Sequence, residues 1–373
     1  MKKILKQHCC VLVALLKISH TPVCGDRGFN DIIYYSQHLY RLNVVMNNSA
    51  FNFQTLSPDL IMDALEGAGL RVDSGLTALN SYENRVYQFM DEESKRYVVK
   101  FYRPERWSSE QITEEHQFSL DLAESEIPVI APLRLNGKTL HTHCGFFFAV
   151  FPSVGGRQYE IDNLDQLEWV GRFLGRIHQA ARNSLFVARP TMGIEEYLTE
   201  PRQLLANCDL VPVKQRDKFL AAADLLITTI KQYWHTEWQP LRLHGDCHPG
   251  NILWRDGPMF VDLDDARNGP AIQDLWMLLH GDRRDQSMQL DILLEAYSEF
   301  ADFDQRELAL IEPLRAMRMV YYLAWVARRW QDPAFPKSFP WMAESDFWLQ
   351  QTASFTEQVK LLQEPPLQLM PMY

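Results

Sequence analysis

The sequence has few cysteines and no arrangement of them that binds zinc or builds a disulfide framework. Its six cysteines are scattered along 373 residues without a CxxC pair, which is typical of a protein in a reducing cytoplasm. Positive charge is also scarce, since 37 Lys and Arg face 48 Asp and Glu and the net charge is −11. Nucleic-acid backbones and anionic membranes demand a basic surface, so we exclude both as main partners and expect a cationic or neutral one.

Long hydrophobic runs, internal repeats and low-complexity tracts are absent as well. The apolar run Cys9–Leu16 follows three lysines and superficially resembles a secretory signal, but it is too short to span a bilayer and lacks a small-residue cleavage site. We therefore expect residues 1–45 to be an unstructured or loosely helical extension, or a mis-assigned start, because Met46 offers an alternative first residue. The remainder is long enough to bury a sizeable core and to form two domains.

The most informative stretch is His244–Asn251, which has the sequence HGDCHPGN. An apolar lead-in brings the chain to this turn-rich segment, and Asp246 precedes Asn251 by five positions. Asp262 follows eleven residues after Asn251, at the end of a short β-prone segment that comes after an Asp-Gly turn. The pattern predicts a loop and a strand end, residues 259–265, that bring two carboxylates and a carboxamide together.

Phosphoryl transfer from ATP needs those three groups. One carboxylate orients the acceptor hydroxyl, while a carboxamide oxygen and a second carboxylate bind magnesium against the phosphates. Kinases have the same order along the chain, so we predict Asp246 and Asp262 to be catalytic and Asn251 and Asp262 to bind Mg²⁺. The alternative is a surface loop whose Asp and Asn make turns and caps, but the loop motif would occur by chance in only about one in a few hundred chains of this length.

These residues carry a resemblance to a known family. The loop His244–Asn251, followed by VDLDDA at 261–266, resembles the aminoglycoside phosphotransferase and choline kinase branch of the protein-kinase-like superfamily. Within that branch, residues 46–373 resemble the bacterial stress response kinase A family. The narrower resemblance rests on NSYENRVY at 80–87, VKFYRP at 99–104 and FPSVGGR at 151–157.

The resemblance implies an α+β, two-lobed protein-kinase-like fold. Residues 46–151 would form a lobe with an antiparallel sheet and a helix, and residues 152–373 a mainly helical lobe that contains the catalytic loop 244–251. ATP would be the co-substrate, Mg²⁺ the cofactor and serine or threonine hydroxyls of proteins the acceptors. We expect a monomer in the cytoplasm.

Two other functions stay open at this point. Kinases of small alcohols, such as choline, aminoglycosides or homoserine, share the fold and the motif. A nucleotide-binding scaffold without catalysis is an alternative from a different class of protein. The presence of Asp246, Asn251, Asp262 and Lys100 argues against the scaffold, because the loss of any one of them would have favoured it.

The first lobe supplies the predicted phosphate-binding residues. β-prone segments predict a small antiparallel sheet, at 76–79, 85–89 and 97–101. The loop 80–84 lacks the GxGxxG of protein kinases, and the kinase pattern assigns the ATP phosphates to its backbone N–H groups and to the hydroxyl of Ser81. Lys100 lies on the third strand, where a kinase lysine pairs with the α and β phosphates. The alternative for Lys100 is a solvated charge at a strand end.

A helix over residues 112–122 should follow and present a glutamate to Lys100. Glu115 fits the phase of the family best, and Glu114 is the alternative. Either glutamate could instead be a solvated charge on the outer face of the helix.

Several residues around the loop are predicted to be structural. Asp274 lies near a helix start, where a carboxylate is favoured by the free N–H groups, and the resemblance suggests that it braces the catalytic loop. His244 is expected to shape the loop through side-chain hydrogen bonds, and His178, at the end of an apolar helix, to cap or pack. Cys247, beside Asp246, is expected to be an ordinary loop thiol rather than a redox sensor.

Overall fold

The structure is a computed structural model that describes residues 53–234 and 237–369, so the predicted extension, residues 1–45, lies outside the described residues. The chain divides into two compact units. Of the described residues, the small unit contains 53–108 and 134–150, and the large unit contains 109–133, 151–234 and 237–369. Within the two described ranges, no helix is both long and apolar enough to cross a membrane.

The small unit is built on one five-stranded sheet. Its strands are β1 (Thr77–Ala78), β2 (Arg85–Met90), β3 (Arg96–Phe101), β4 (His141–His143) and β5 (Phe146–Pro152). They lie in the order β1, β2, β3, β5, β4, and the β1–β2, β2–β3 and β4–β5 pairs are antiparallel. The strands predicted in this lobe are confirmed to within one or two residues.

Alternation along the strands explains which face of this sheet is buried. Val99 and Phe101 on β3 lie two residues apart and are both buried, and so is Phe89, which pairs with a residue on the same face. The ring of Phe148 on β5 stacks on that of Phe101 at 5.2 Å. Helix α1 (Pro58–Gly67) precedes the sheet.

The large unit is mainly helical, as predicted. Its helices are α2 (Ser109–Glu124), α3 (Leu164–Ala181), α4 (Glu200–Asn207), α5 (Val213–Tyr233), α6 (Gln273–Trp276), α7 (Arg283–Ser298), α8 (Ile311–Arg328), α9 (Ala334–Ser338) and α10 (Ser345–Leu362), with a π-helical turn at Glu195–Thr199. Two small sheets accompany them: β6 (Arg157–Gln158), β8 (Ile252–Trp254) and β9 (Pro258–Phe260) form one, and β7 (Leu241–Leu243) with β10 (Arg267–Gly269) the other.

Helix α2 belongs to the large unit, whereas the predicted boundary at residues 151 and 152 placed it in the first lobe. The reason is a set of contacts between the helix and residues more than 70 positions further along the chain. The carboxylate of Glu114 on α2 accepts hydrogen bonds from the backbone N–H groups of Val187, Ala188 and Arg189, at 2.5, 2.9 and 2.8 Å. The domain boundary of the sequence analysis stays a prediction, but these contacts assign the helix to the residues that follow it.

Close packing of α3 on α7 sets the base on which the catalytic loop rests. Helix α3 begins at Asn163, whose side chain accepts from the Gln166 N–H at 3.1 Å, and its apolar stripe is buried. Gly175 on α3 lies so near α7 that a Cβ built there would be 2.4 Å from the carbonyl oxygen of Tyr297. Only a residue without a side chain lets the two helix backbones approach this closely.

Gly175→Ala should therefore destabilise the protein. Overpacking at a site walled by backbone atoms costs about 1–3 kcal/mol, and we expect a lower midpoint in thermal unfolding. Gly67→Ala, at the end of α1, is the matched control, since no atom lies within 4 Å of a Cβ built there. Equal midpoints for Gly175→Ala and Gly67→Ala would show that α3 and α7 can separate at little cost.

Candidate active site

Strand β7 delivers the catalytic loop from the interior. All three of its residues are buried, and His244 directly after it is also buried. The Nε2 of His244 lies 2.9 Å from the carbonyl oxygen of Val261, so this nitrogen carries the proton and donates. Gly245 has a φ of +84°, and a Cβ there would be 2.1 Å from the carbonyl oxygen of Asp265. The predicted shaping role of His244 is confirmed, and the glycine is a steric requirement of the turn.

A buried carboxylate, Asp274, braces this loop from below, as the family resemblance suggested. Its two oxygens accept hydrogen bonds from the backbone N–H groups of His244, at 2.8 Å, and of Gly245, at 2.9 Å. The Nε2 of His178 lies 3.1 Å from the same carboxylate, and its Nδ1 lies 3.1 Å from the hydroxyl of Tyr297. Asp274 and His178 are fully buried. Both predictions of a structural role are confirmed.

The short helix α6 that carries Asp274 is held by two further contacts that the sequence gave no sign of. The side-chain amide of Gln273 donates to the carbonyl oxygen of Gly245 at 3.0 Å. The carboxylate of Glu307 accepts from the backbone N–H of Ile272 at 2.9 Å. Glu307 is 35 positions further along the chain, so no local motif marks it.

Asp246 is the carboxylate that the loop presents. Its Oδ1 accepts from Nη1 of Arg318 on α8 at 2.5 Å, and its Oδ2 lies 3.4 Å from Nε2 of His248. Burial acts to raise the pKa of Asp246, but Arg318 and His248 outweigh it and hold that pKa well below its ordinary value. The carboxylate is therefore ionised, able to accept a hydrogen bond from a hydroxyl but only weakly basic.

A backbone hydrogen bond brings the segments that carry Asn251 and Asp262 next to each other. The Nδ2 of Asn251 donates to the carbonyl oxygen of Asp246 at 3.0 Å, so its Oδ1 is not used in this contact. The backbone N–H of Val261 donates to the carbonyl oxygen of Asn251 at 3.0 Å, and Asp262 follows directly. Asp262 adopts a left-handed conformation, with φ of 61°, that no residue pattern announced.

The oxygens of Asn251 and Asp262 suit a hard divalent cation. Mg²⁺ prefers oxygen ligands and commonly takes one or two from the protein and the rest from phosphates and water. In the described ranges, no group of three or more His, Cys, Asp or Glu residues is arranged to hold a metal ion. A two-residue oxygen set fits a cation that arrives with a nucleotide.

Cys247 is a buried thiol. Burial raises its pKa well above the ordinary value, and the nearby carboxylates of Asp274 and Asp246 add to the rise. The thiolate is the reactive form of cysteine. This environment favours the ordinary loop thiol over the redox sensor.

The small unit holds Ser81 and Lys100. Lys100 lies on β3 opposite Val86, half-buried, with its Nζ 5.8 Å from the centre of the Tyr102 ring. Ser81 is half-buried in the loop between β1 and β2. Their roles toward ATP stay predictions.

An arginine fastens this glycine-free loop. The backbone N–H of Arg103 donates to Oδ1 of Asn84 at 3.0 Å, and its guanidinium donates to the carbonyl oxygens of Glu83 and Tyr82 at 2.9 and 3.2 Å. The Glu83 carboxylate also pairs with Arg103 at 3.1 Å. Side-chain bonds from the end of β3 thus fix a loop that lacks the usual glycines.

The two glutamates of α2 have different surroundings. Glu115 is buried, and its Oε1 accepts from the hydroxyl of Ser119 at 2.9 Å. Its burial contradicts the alternative of a solvated charge. Glu114 is engaged with the backbone of residues 187–189, so it serves that segment. Glu115 stays the predicted partner of Lys100.

Comparison with known proteins gives a consistent result. The sequence profile of the "Phosphotransferase enzyme family" matches residues 75–311. The chain is 66% identical over 328 residues to "Stress response kinase A" of Escherichia coli strain K12, which covers 88% of this chain and 100% of that protein. It is 63% identical over 328 residues to "Serine/threonine protein kinase RdoA" of Salmonella typhimurium strain LT2, again covering 88% and 100%.

Among solved structures, a complex of amicoumacin kinase hAmiN superposes with a TM-score of 0.64. The match covers 83% of this chain and 95% of that one at 21% sequence identity. At this identity the likeness concerns the fold alone, and it confirms the predicted α+β, kinase-like fold class.

The buried Glu307 should make stability depend on pH. Burial raises its pKa to about 7, against the opposing effect of the Ile272 N–H. Because the folded pKa is the higher one, the stabilising contribution is fully present below the unfolded value, about 4.3, and is lost as pH rises through 7. The loss should be roughly 3–4 kcal/mol.

We therefore expect the free energy of unfolding in urea to fall for the wild type as pH rises from 5 to 8. That of Glu307→Gln should not fall, so the difference between the two proteins should grow with pH. Glu299→Gln removes an exposed carboxylate that pairs with Arg172 and serves as the control. Its pH profile should stay parallel to that of the wild type over this range. A parallel profile for Glu307→Gln would refute the titration assigned to Glu307.

Proposed function

Since the chain belongs to the phosphotransferase enzyme family and, within it, to the stress response kinase A family, we propose that it phosphorylates serine and threonine hydroxyls of proteins. ATP is the donor, Mg²⁺ the cofactor and the bacterial stress response the setting. Relatives that are 66% and 63% identical carry the names stress response kinase A and serine/threonine protein kinase RdoA. Their names support the proposed acceptor.

The observation that carries the proposal is the fixed pairing of Asp246 with Asn251 in one loop braced by Asp274. The ionised carboxylate of Asp246 accepts a hydrogen bond from the acceptor hydroxyl and orients it toward the γ-phosphorus. As the new oxygen–phosphorus bond forms, the bond to the leaving oxygen of ADP breaks. Because the pKa of Asp246 is low, the hydroxyl proton passes to it late, once the oxygen is bonded to phosphorus.

The remaining residues are assigned to the nucleotide. Asn251 Oδ1 and the Asp262 carboxylate would hold Mg²⁺, which neutralises charge on the β and γ phosphates when bound. Lys100 would hold the phosphates and Glu115 would position Lys100. Ser81 and the backbone N–H groups of its loop would cover the phosphates.

A cytoplasmic monomer completes the proposal. ATP is available in the cytoplasm, and Cys144, Cys208 and Cys247 are free thiols, which suits a reducing compartment. The net charge of −11 supports neither a nucleic-acid nor a membrane partner.

Labelled ATP tests the acceptor class. With ATP and Mg²⁺, we expect label on serine and threonine of the protein itself or of generic protein substrates, and none on a panel of aminoglycosides, choline and homoserine. Asp246→Ala should lose about a hundredfold or more of this activity while ATP binding, measured by calorimetry, stays close to that of the wild type. The exposed Asp346→Ala is the control and should keep full activity.

Two outcomes would contradict these expectations. Label on small alcohols alone would replace the protein kinase by a small-molecule kinase. Turnover near the wild-type rate in Asp246→Ala would remove this residue from the reaction and leave the family assignment intact.

Magnesium dependence should separate the two carboxylates. Asp262→Asn keeps the size of the side chain and one oxygen but removes the charge, so the affinity for Mg²⁺ in the ATP complex should fall and higher Mg²⁺ should recover part of the rate. Asp246→Asn should not recover, because its defect concerns the hydroxyl. Identical Mg²⁺ titrations for both variants and the wild type would refute this division of roles.

A further inference from the structure

Arg318 holds the predicted catalytic carboxylate by an ion pair that sequence analysis did not anticipate. It lies on α8, 72 positions after Asp246, and its Nη1 donates to Oδ1 of Asp246 at 2.5 Å. Its side chain is 41% exposed and that of Asp246 is 24% exposed, so solvent reaches the pair. A ligand in the solvent can therefore reach the guanidinium and the carboxylate.

Two other arginines, Arg267 and Arg189, differ from Arg318 because their N–H groups bond to residues that hold the fold together. Arg267 is buried and bonds Glu196 at 2.7 Å and Asp265 at 3.1 Å. Arg189 donates to the carbonyl oxygens of Asp264 and Ala266. These contacts hold the turn after Asp262 in place.

Arg318, by contrast, hydrogen-bonds with Asp246 alone within residues 53–234 and 237–369. A guanidinium has five N–H donors in a planar fork, and such a fork matches a carboxylate with two parallel hydrogen bonds. The pair is partly exposed, so solvent screens it and its contribution to folding stability is small. The remaining donors are thus available to an acceptor without loss of a structural contact.

We propose that Arg318 selects the acceptor by binding an acidic side chain of a polypeptide beside the serine or threonine to be phosphorylated. This inference rests on the proposed protein kinase function and names the substrate class of the same site. Arg318 keeps one N–H on Asp246 and gives others to the carboxylate of the acceptor segment. A cationic acceptor would instead place like charges side by side.

The position of that acidic residue follows from distances. The acceptor hydroxyl must lie about 3 Å from Asp246 to share its proton, and the carboxylate must lie about 3 Å from the guanidinium. Because the Asp246–Arg318 contact adds 2.5 Å, the two acceptor groups lie no more than roughly 8–9 Å apart, a span that adjacent or next-adjacent side chains of an extended chain can cover.

The net charge of −11 predicted a cationic or neutral partner, whereas this inference rests on one guanidinium in contact with Asp246. Arg267 pairs with both Glu196 and Asp265 and offsets one of their two negative charges. More distant surface carboxylates are screened, since the Debye length at physiological ionic strength is about 8 Å. The local cation therefore decides which flanking group is accepted.

Peptide pairs test the inference with the full-length protein. For each of the positions −2, −1, +1 and +2 relative to a single serine, three peptides carry glutamate, glutamine or lysine at that position. For the best position, wild-type kcat/KM should be about tenfold or more higher with glutamate than with glutamine, and lower still with lysine. The preference should shrink between 50 and 500 mM salt, two concentrations chosen to span screening.

Variants assign the preference to one side chain. Arg318→Gln should remove the glutamate preference, Arg318→Glu should transfer it to the lysine peptides, and Arg318→Lys should keep a reduced preference. The matched control is Arg328→Gln on the same helix, 52% exposed and paired with Glu200 at 4.0 Å, which should keep the wild-type ratio and rate. The ratio is independent of any general loss of activity.

The outcomes are distinguishable. Equal wild-type rates for glutamate and glutamine peptides overturn the inference and leave the protein kinase function standing. An Arg318→Gln variant that is slower on all peptides with an unchanged ratio also overturns it, because Arg318 then only supports Asp246. Label on small alcohols and on no peptide overturns both proposals. If the variants do not fold, the wild-type preference and its salt dependence decide.

Discussion

The buried carboxylate of Asp274 is the contact on which the rest of the site depends. It satisfies the backbone N–H groups of His244 and Gly245 at the point where the chain leaves β7, and it is itself satisfied by His178. A buried carboxylate is tolerated only with such partners. Helix α3 supplies His178 and α7 supplies Tyr297. The close packing of these two helices, which are far apart along the chain, therefore sets the position of the loop that presents Asp246.

The arginines around this loop have two kinds of role: some hold the fold together, and one contacts the predicted catalytic carboxylate. Arg267 and Arg189 are consumed by contacts that hold the turn after Asp262, where the low dielectric makes each bond strong. Arg318 is partly exposed, and Asp246 is its one hydrogen-bond partner among the described residues. The same pair keeps the pKa of Asp246 low, which suits a carboxylate that orients a hydroxyl and takes its proton late.

Sequence reasoning succeeded where the determining interactions are local. Alternation of apolar residues predicted β2 and β3, and the motif His244–Asn251 predicted the loop, since the turn and its hydrogen bonds form among near neighbours. It placed α2 with the first lobe because the family resemblance and the order of the elements along the chain suggested that boundary. The contacts of Glu114 with residues 187–189, some 75 positions away, assign that helix to the large unit.

The sequence by itself determined the catalytic loop, the α+β class and the chemical types that the site requires. Tertiary structure alone decided the partners of those groups: Arg318 beside Asp246, Glu307 under α6, and the left-handed backbone of Asp262. The physical reason is that hydrogen bonds and ion pairs act over a few ångströms in space, whatever the separation along the chain. The spacing of residues in a motif predicts the geometry of a short segment. A contact between residues 246 and 318 forms only when the chain folds.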